Sequence, residues 1–461
     1  MQSFDVIIIG GGPGGTTAAR ILAQGGKKVA LIEDRHWGGT CLNCGCIPTK
    51  MLLGAVAPGS MLRAQERLRV VKGETQVDFT ALQGRVSRFT KGTSQTLAKS
   101  LTGMGITLFD GRGVCLERKN GLAHVRIACA EDQTDIAATD VILACGTSSA
   151  AFPGLAPDHQ SVLDSTDLLQ STTIPESLII VGAGAIGLEM ADFFSAMGSK
   201  VTVVEAAAHI APTEDADIAK EMLRALTKSG ITCLEGTRAK DLSTVDGNAQ
   251  LSLEDGTVIT AAKALVAVGR SPNTQGLGVE NLGGTKNPRG YAQVDANLQC
   301  APGLYAVGDI NGITLLAHAA EHQAAYVARR ILGQADGPYQ SGPVPSCVYG
   351  GMEIMRVGQT ATALLRQGKS VEVSQAPLSM NPIAQASGGT AGFVKVVWHE
   401  GRIEGIAAVG AGVSHLVTVA QVLLKEGYNE HRLHEIMFAH PTLDEIVPLA
   451  ISAPRKTVTA E

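Results

Sequence analysis

Val6-Ile7-Ile8-Ile9-Gly10-Gly11-Gly12-Pro13-Gly14-Gly15 is an unbroken apolar run that ends in a glycine cluster. Four consecutive aliphatic residues read as a parallel strand buried on both faces. The glycines supply G-x-G-x-x-G at Gly10, Gly12 and Gly15, and a helix-like stretch follows from Thr16 to Gln24. Val29-Ala30-Leu31-Ile32 then reads as a second strand ending in Glu33. Glycines in this pattern allow a tight turn and bring a pyrophosphate close to the helix N-terminus. An acid at the end of the second strand hydrogen-bonds ribose hydroxyls. Strand, glycines, helix, strand and acid together point to a dinucleotide site rather than a bare glycine turn.

The pattern then repeats. Leu178-Ile179-Ile180-Val181 runs into Gly182-Ala183-Gly184-Ala185-Ile186-Gly187, a helix is expected from Leu188 to Met197, and Val201-Thr202-Val203-Val204 ends in Glu205. In both copies the acid stands 23 residues after the first glycine, 10 to 33 and 182 to 205. Two matched fingerprints imply two dinucleotides, or one dinucleotide and a related cofactor. Glu205 would repel a 2′-phosphate, and Ala206-Ala207-Ala208 offers no arginine to hold one. That favours NAD over NADP.

Composition bounds the class. The 461 residues suit about three domains of roughly 150 residues. Hydrophobic content of 45% and charged content of 18% mark a globular chain. The net charge of −5 comes with no basic block, so nucleic acid is not an expected partner. No run is expected to approach a membrane span. The opening Met1-Gln2-Ser3-Phe4-Asp5 lacks a basic region and reads as a first strand, not a signal peptide. Most of the nine cysteines are scattered singles, the pattern of a reducing, cytoplasmic setting.

The exception is Gly38-Gly39-Thr40-Cys41-Leu42-Asn43-Cys44-Gly45-Cys46-Ile47-Pro48-Thr49-Lys50. Cys41 and Cys46 lie five apart where a loop enters a helix, so they can bridge and open without much backbone movement. A helix N-terminus keeps a thiolate available. A redox-active pair is favoured over a structural bridge, which would add little stability across so short a loop. It is also favoured over a metal pair, which wants C-x2-C spacing and a partner pair elsewhere, so no metal site is expected. Cys44 reads as a small apolar filler, since side chains two and three positions from it are expected to diverge once the loop becomes helical. Near the other end, His440-Pro441-Thr442-Leu443-Asp444-Glu445 places an acid five residues after a histidine. A base that titrates near neutrality suits thiol chemistry, and a carboxylate can fix its tautomer.

Between these landmarks, Ala55 to Lys99 reads as helical, with Ala64, Leu68 and Val71 and then Phe79, Leu82, Val86 and Phe89 at helical spacing. Short strands are expected at 106–109, 123–127 and 140–144, and a short helix from Asp164 to Gln170. Ser171 to Glu176 looks like an inter-domain linker. The closing third shows strands at 392–398 and 403–409 and a helix from Ser414 to Glu426.

The cysteine segment, the two fingerprints and the H-P-T-x-x-E segment at His440 to Glu445 together resemble the dihydrolipoamide dehydrogenases. These are flavoproteins of the glutathione reductase type, among the pyridine nucleotide-disulfide oxidoreductases. The resemblance runs through essentially the whole chain. It implies an α/β fold with two Rossmann-like dinucleotide-binding domains plus a C-terminal α+β dimerisation domain. The implied boundaries are 1–150 for the first part of an FAD-binding domain, 151–270 for an NAD-binding domain, 271–342 for a return to the FAD or central domain, and 343–461 for the dimer-interface domain.

By the same resemblance, FAD is held by Gly10, Gly12, Gly15, Glu33, Thr40, Lys50, Gly113, Gly146, Asp309, Leu316, Ala317 and His318. NAD is held by Gly182, Gly184, Ile186, Gly187, Glu189, Glu205 and Gly269. Lys50 and Glu189 match an ion pair beside the flavin ring, and Val268-Gly269-Arg270 a stretch near the nicotinamide. The implied catalytic set is Cys41, Cys46, His440 and Glu445, with His440 reaching the disulfide of the other subunit of a homodimer. The implied activity is oxidation of a dithiol, with dihydrolipoamide on a carrier protein or multienzyme complex as the leading substrate, and reduction of NAD. NADH-driven reduction of another disulfide is the alternative. Cys44, His36-Trp37, Gly350-Gly351-Met352 after Tyr349, and Ser379 to Ile383 depart from the family pattern.

Overall fold

The structure is a computed structural model that describes residues 1–129 and 132–459. The chain divides into two compact units. The first comprises Met1–Pro48, Gly84–Ala150 and Gly269–Ser341; the second comprises Thr49–Gln83, Ala151–Val268 and Gly342–Glu461.

In the first unit the strands Thr107–Asp110, Val29–Glu33, Gln2–Ile9, Gln133–Leu143 and Leu304–Ala306 lie side by side in that order, all parallel. In chain order this is 3-2-1-4-5, the doubly wound arrangement in which ligands sit beyond the carboxyl ends of the strands. The continuous apolar run of the first strand has a simple cause. Val6 and Ile8 face one core with Leu22 and Val327, while Ile7 and Ile9 face another with Val125 and Val141. A strand covered on both faces has no polar side to alternate with. The Arg112–Lys119, Leu122–Ala128 and Gln133–Leu143 strands form an antiparallel meander.

The second unit repeats the design. Thr232–Leu234, Lys200–Val204, Ser177–Val181, Lys263–Val266 and Val162–Leu163 form a five-stranded parallel sheet. An antiparallel meander, Ala239–Val245, Asn248–Leu253 and Val258–Ala261, again enters between the third and fourth strands of the nucleotide motif. Val162–Leu163 pairs with Lys263–Val266, so the chain joins this sheet before the 171–176 stretch. That stretch is therefore a connection inside the unit and not the linker its composition suggested. The closing third is a six-stranded sheet, wholly antiparallel and led by Pro345–Val348 and Glu353–Gly358. The helices Val417–Lys425 and Ile446–Ser452 pack against it through Ala420, Leu423, Val447 and Ile451 around the buried Trp398.

Several expected elements shift. The first helix starts at Pro13, not Thr16, because proline suits the first helical position. The helix of the second fingerprint spans Ala185–Ala196, and the late helix spans Val417–Lys425 after a 3-10 turn at Val413–Leu416. The long helix expected over 55–99 is two helices, Cys46–Arg67 and Phe79–Gly103. Arg69 adopts a left-handed φ of 61°, which ends the first of them. Leu68 and Val71 then lie exposed in the connection, and so does Phe89 on the second helix, while Leu82 and Val86 are buried as the spacing requires.

Candidate active site

Cys41 stands in a short helix, Gly39–Cys44, and Cys46 opens the helix Cys46–Arg67 after Gly45 breaks the path. Gly38 and Gly39 have positive φ, 96° and 59°, which aims the chain into this turn. Asn43 Nδ2 donates to the Trp37 and Gly39 carbonyls, and Ser94 Oγ donates to the Trp37 carbonyl. Trp37 itself packs over Gly11, where an added Cβ would lie 2.9 Å from its ring. The unusual His36-Trp37 pair thus seats the cysteine segment on the first glycine loop. Cys44 corrects an expectation: it lies three residues after Cys41 on one helix, and residues so spaced are neighbours on the same face.

The two glycine loops are built alike. A Cβ on Gly10 would lie 2.3 Å from the Ala144 oxygen, and one on Gly15 1.8 Å from the Gly10 oxygen. In the second copy, Gly182 and Gly187 are constrained in the same way, at 2.4 Å from the Ala267 oxygen and 2.0 Å from the Gly182 oxygen. The middle glycines are different. A Cβ on Gly12 would meet only the Gly39 Cα, at 3.9 Å, and Gly184 has nothing within 4 Å. Neither helix that follows has a side-chain cap at its N-terminus. The fold needs the outer glycines; the middle ones leave a cradle in front of unpaired helix N–H groups, which fits a pyrophosphate. Ile186 sits in the first turn of the second of these helices.

Both fingerprint acids are held by backbone. Glu33 accepts from the Gly11 N–H at 2.6 Å and from the N–H groups of Arg35 and His36. Burial nonetheless pushes its carboxyl above the usual range. Glu205 accepts from the N–H groups of Ala183 and Ala207, both at 2.7 Å.

Elsewhere in the first unit, Asp309 lies in the turn Gly308–Asn311. Burial raises its carboxyl pKa, although Thr147 Oγ1 donates to it at 2.8 Å and Arg270 stands 3.8 Å away. Gln323 Oε1 accepts from the Gly308 N–H and from Asn311 Nδ2, which pins that turn to the helix Ala317–Ile331. Leu316 is the N-cap residue of this helix, and Ala317 and His318 open it. Gly146 and Gly269 both have positive φ and open space where a side chain would stand, whereas a Cβ on Gly113 would run into Ile9. Thr40 lies exposed in the Gly39–Cys44 helix.

In the second unit, Lys50 Nζ bonds both oxygens of Glu189 at 2.7 Å. Burial pushes Glu189 above the usual carboxylate range, and the Lys50 charge works against it. The Tyr349 ring lies 4.3 Å from Lys50 Nζ, and the Tyr349 N–H donates to Glu189. His440 Nδ1 lies 2.9 Å from Glu445 Oε1, while the Thr442 N–H donates to Glu445 Oε2. The Thr442 N–H, then His440, hold the Glu445 carboxyl below its usual range. A carboxylate can only accept, so Nδ1 carries the proton and Nε2 is left as the basic nitrogen. Asn381 is fully buried and donates to the Thr442 carbonyl at 2.9 Å. The departing stretch Ser379 to Ile383 thus supports the histidine turn, a role that no local pattern announces.

Residues 4–324 match the pyridine nucleotide-disulphide oxidoreductase family, and residues 344–451 match its dimerisation domain. The chain belongs to this family. Dihydrolipoyl dehydrogenase from Chlamydia muridarum is 33% identical over 450 residues, covering 96% of this chain and 95% of the relative. Dihydrolipoyl dehydrogenase from Rhizobium etli is 33% identical over 470 residues, covering 98% of each. Among solved structures, LpdA from Mycobacterium tuberculosis superposes with a TM-score of 0.89 at 26% identity, over 98% of this chain and 99% of that one. The flavoprotein disulfide reductase RclA from Escherichia coli does so with a TM-score of 0.87 at 27% identity, over 98% and 99%.

As a member of the pyridine nucleotide-disulphide oxidoreductases, the chain is a homodimeric flavoenzyme that uses FAD and NAD. Membership also bears on one sequence expectation that the structure overturns. Within the 29 residues of Gly39–Arg67, an 18-residue window reaches a mean hydropathy of 1.2, long and apolar enough by composition to cross a membrane. It contains both cysteines, buries Leu52, Leu53 and Val56, and engages Lys50 in an ion pair. Family and placement make it the segment that carries the cysteine pair, on the two helices Gly39–Cys44 and Cys46–Arg67.

Proposed function

We propose that this chain is an NAD-dependent dihydrolipoyl dehydrogenase that oxidises a protein-bound dihydrolipoamide through a Cys41–Cys46 disulfide. The observation that carries the reading is the 2.9 Å contact between His440 and Glu445, which leaves a basic nitrogen for a thiol proton. A substrate thiol attacks Cys41 Sγ, the Cys41–Cys46 bond breaks, and the proton passes to Nε2 of His440 of the partner subunit. The second substrate thiol then attacks the mixed disulfide and releases oxidised substrate, leaving two enzyme thiols. FAD, when bound, would supply the hydride chemistry that links the thiols to NAD. Cys46, at the start of the Cys46–Arg67 helix, would be the sulfur from which bound FAD accepts the electron pair. Lys50 and Glu189 order the flavin side, Glu33 and Glu205 take the ribose hydroxyls of FAD and NAD, and Asp309 takes the flavin's ribityl chain. The remaining glycines of the FAD and NAD sets, with Thr40, Ile186, Leu316, Ala317 and His318, line the two cofactors. The domains follow the boundaries 1–150, 151–270, 271–342 and 343–461, and scattered cysteines suit a cytoplasmic setting.

A second reading, an NADH-driven reductase of a different disulfide, is favoured by the likeness to RclA and by the departures at Gly350-Gly351 and Ser379 to Ile383. Steady-state rates decide between them. NAD with dihydrolipoamide should outrun NADH with a panel of disulfides; the reverse order would hand the assignment to the second reading.

A further inference from the structure

The helix Ala185–Ala196 carries two carboxylates on one face, Glu189 and Asp192, three residues apart. Both accept from backbone N–H groups of the same short segment: Tyr349 N–H to Glu189 Oε1 at 3.1 Å, and Gly351 N–H to Asp192 Oδ2 at 2.9 Å. Gly350 between them has a φ of 152°, and a Cβ there would lie 2.9 Å from the same Asp192 oxygen. Gly350, which departs from the family pattern, is therefore what lets the segment close on Asp192. The segment also delivers the Tyr349 ring to Lys50, 4.3 Å from Nζ, where a cation is attracted to the aromatic face.

We infer that residues 349–351 form a strap, latched by Asp192, that positions the Lys50–Glu189 pair, with Tyr349 and Asp192 as positioning residues. One carboxylate of the helix holds the lysine; the other holds the segment that covers it. That this tunes the flavin rests on the reading that the pair lies beside the flavin ring. Without the latch, Lys50 loses its aromatic partner and Glu189 one of its donors.

The test uses the FAD-loaded dimer and reads the midpoint potential of the bound flavin and the stopped-flow rate of its reduction by NADH. Glu189→Ala sets the reference shift. Asp192→Ala and Tyr349→Leu should move the potential in the same direction and slow reduction roughly tenfold, short of the ~10²-fold that a misplacement of about 1 Å can cost. Asp192→Asn keeps an acceptor and Tyr349→Phe keeps the ring, so both should return toward wild type. If Asp192→Ala fails to retain FAD, the Tyr349→Leu and Tyr349→Phe pair decides alone. Wild-type potential and rate in both Asp192→Ala and Tyr349→Leu would overturn the strap. An unmoved potential in Glu189→Ala would instead overturn the placement of the pair, and the strap's role with it.

Discussion

Glu205 uses both carboxylate oxygens on the backbone of its own nucleotide loop, so its charge is fixed in place before any ligand arrives. A fixed anion at the end of that strand discriminates against a 2′-phosphate by repulsion and not merely by a missing contact. NAD should therefore give a higher kcat/KM than NADP, and Glu205→Ala should narrow the gap. Equal efficiency of the wild-type enzyme with both nucleotides would refute this. His440→Gln should keep FAD and the dimer but slow dithiol oxidation by about 10² to 10⁴. A diaphorase assay with an artificial acceptor bypasses the thiols and should hold; an equal collapse there would make the residue structural. Both groups were legible because each belongs to a local pattern, an acid closing a strand and an acid five residues after a histidine. Trp37, Thr147, Asp192 and Asn381 were not, since their partners stand far along the chain or on its backbone.

Elements were legible where one face or both faces are buried, and misread where apolar spacing ran on by coincidence. Ala64, Leu68 and Val71 continue a helical period past Arg67, yet Leu68 is 48% exposed. Periodicity reports a pattern and carries no information on the left-handed turn at Arg69 that ends the helix. A further tie between elements escaped the sequence because it joins distant segments. Lys395, 3% exposed on the strand Gly392–His399, reaches Asp215 at 2.8 Å and Asp217 at 2.6 Å. Asp215 also accepts from the N–H groups of Ala361 and Thr362 at the start of another helix. Burial works to raise the Asp215 carboxyl, but Lys395 and Thr362 together hold it below its ordinary 3.8. A depressed acid stabilises the fold where it is charged. That stabilisation is full above about pH 5 and is lost as pH falls through the folded-state value. Asp215→Asn should thus cost on the order of 3 kcal/mol at pH 7, since it leaves a buried lysine short of a partner. The gap in thermal midpoint from wild type should close on acidification. A gap that is constant from pH 7 down to pH 3 would show that the ion pair is not its source.

The molecule as a whole is a repeat that became asymmetric. Two parallel sheets, each with a meander inserted before the strand that returns beside its fingerprint strand, present two glycine cradles of one design. What differs is what was added: the cysteine segment behind the first fingerprint, and behind the second an antiparallel sheet with the histidine turn in one of its connections. In a symmetric dimer a residue from one copy can complete a site on the other. The proposal places His440 opposite the cysteines of the partner subunit, and mixing variants tests it directly. Cys41→Ser and His440→Gln are each expected to be nearly inactive alone. Co-refolded in equal amounts, half of the dimers should be mixed, and each mixed dimer should hold one site with both groups intact. Activity should then return to about a quarter of wild type. If Cys41 and His440 of one chain served the same site, every site in the mixture would lack one of them. No recovery in a mixture shown to contain heterodimers would therefore place the whole thiol chemistry within a single chain.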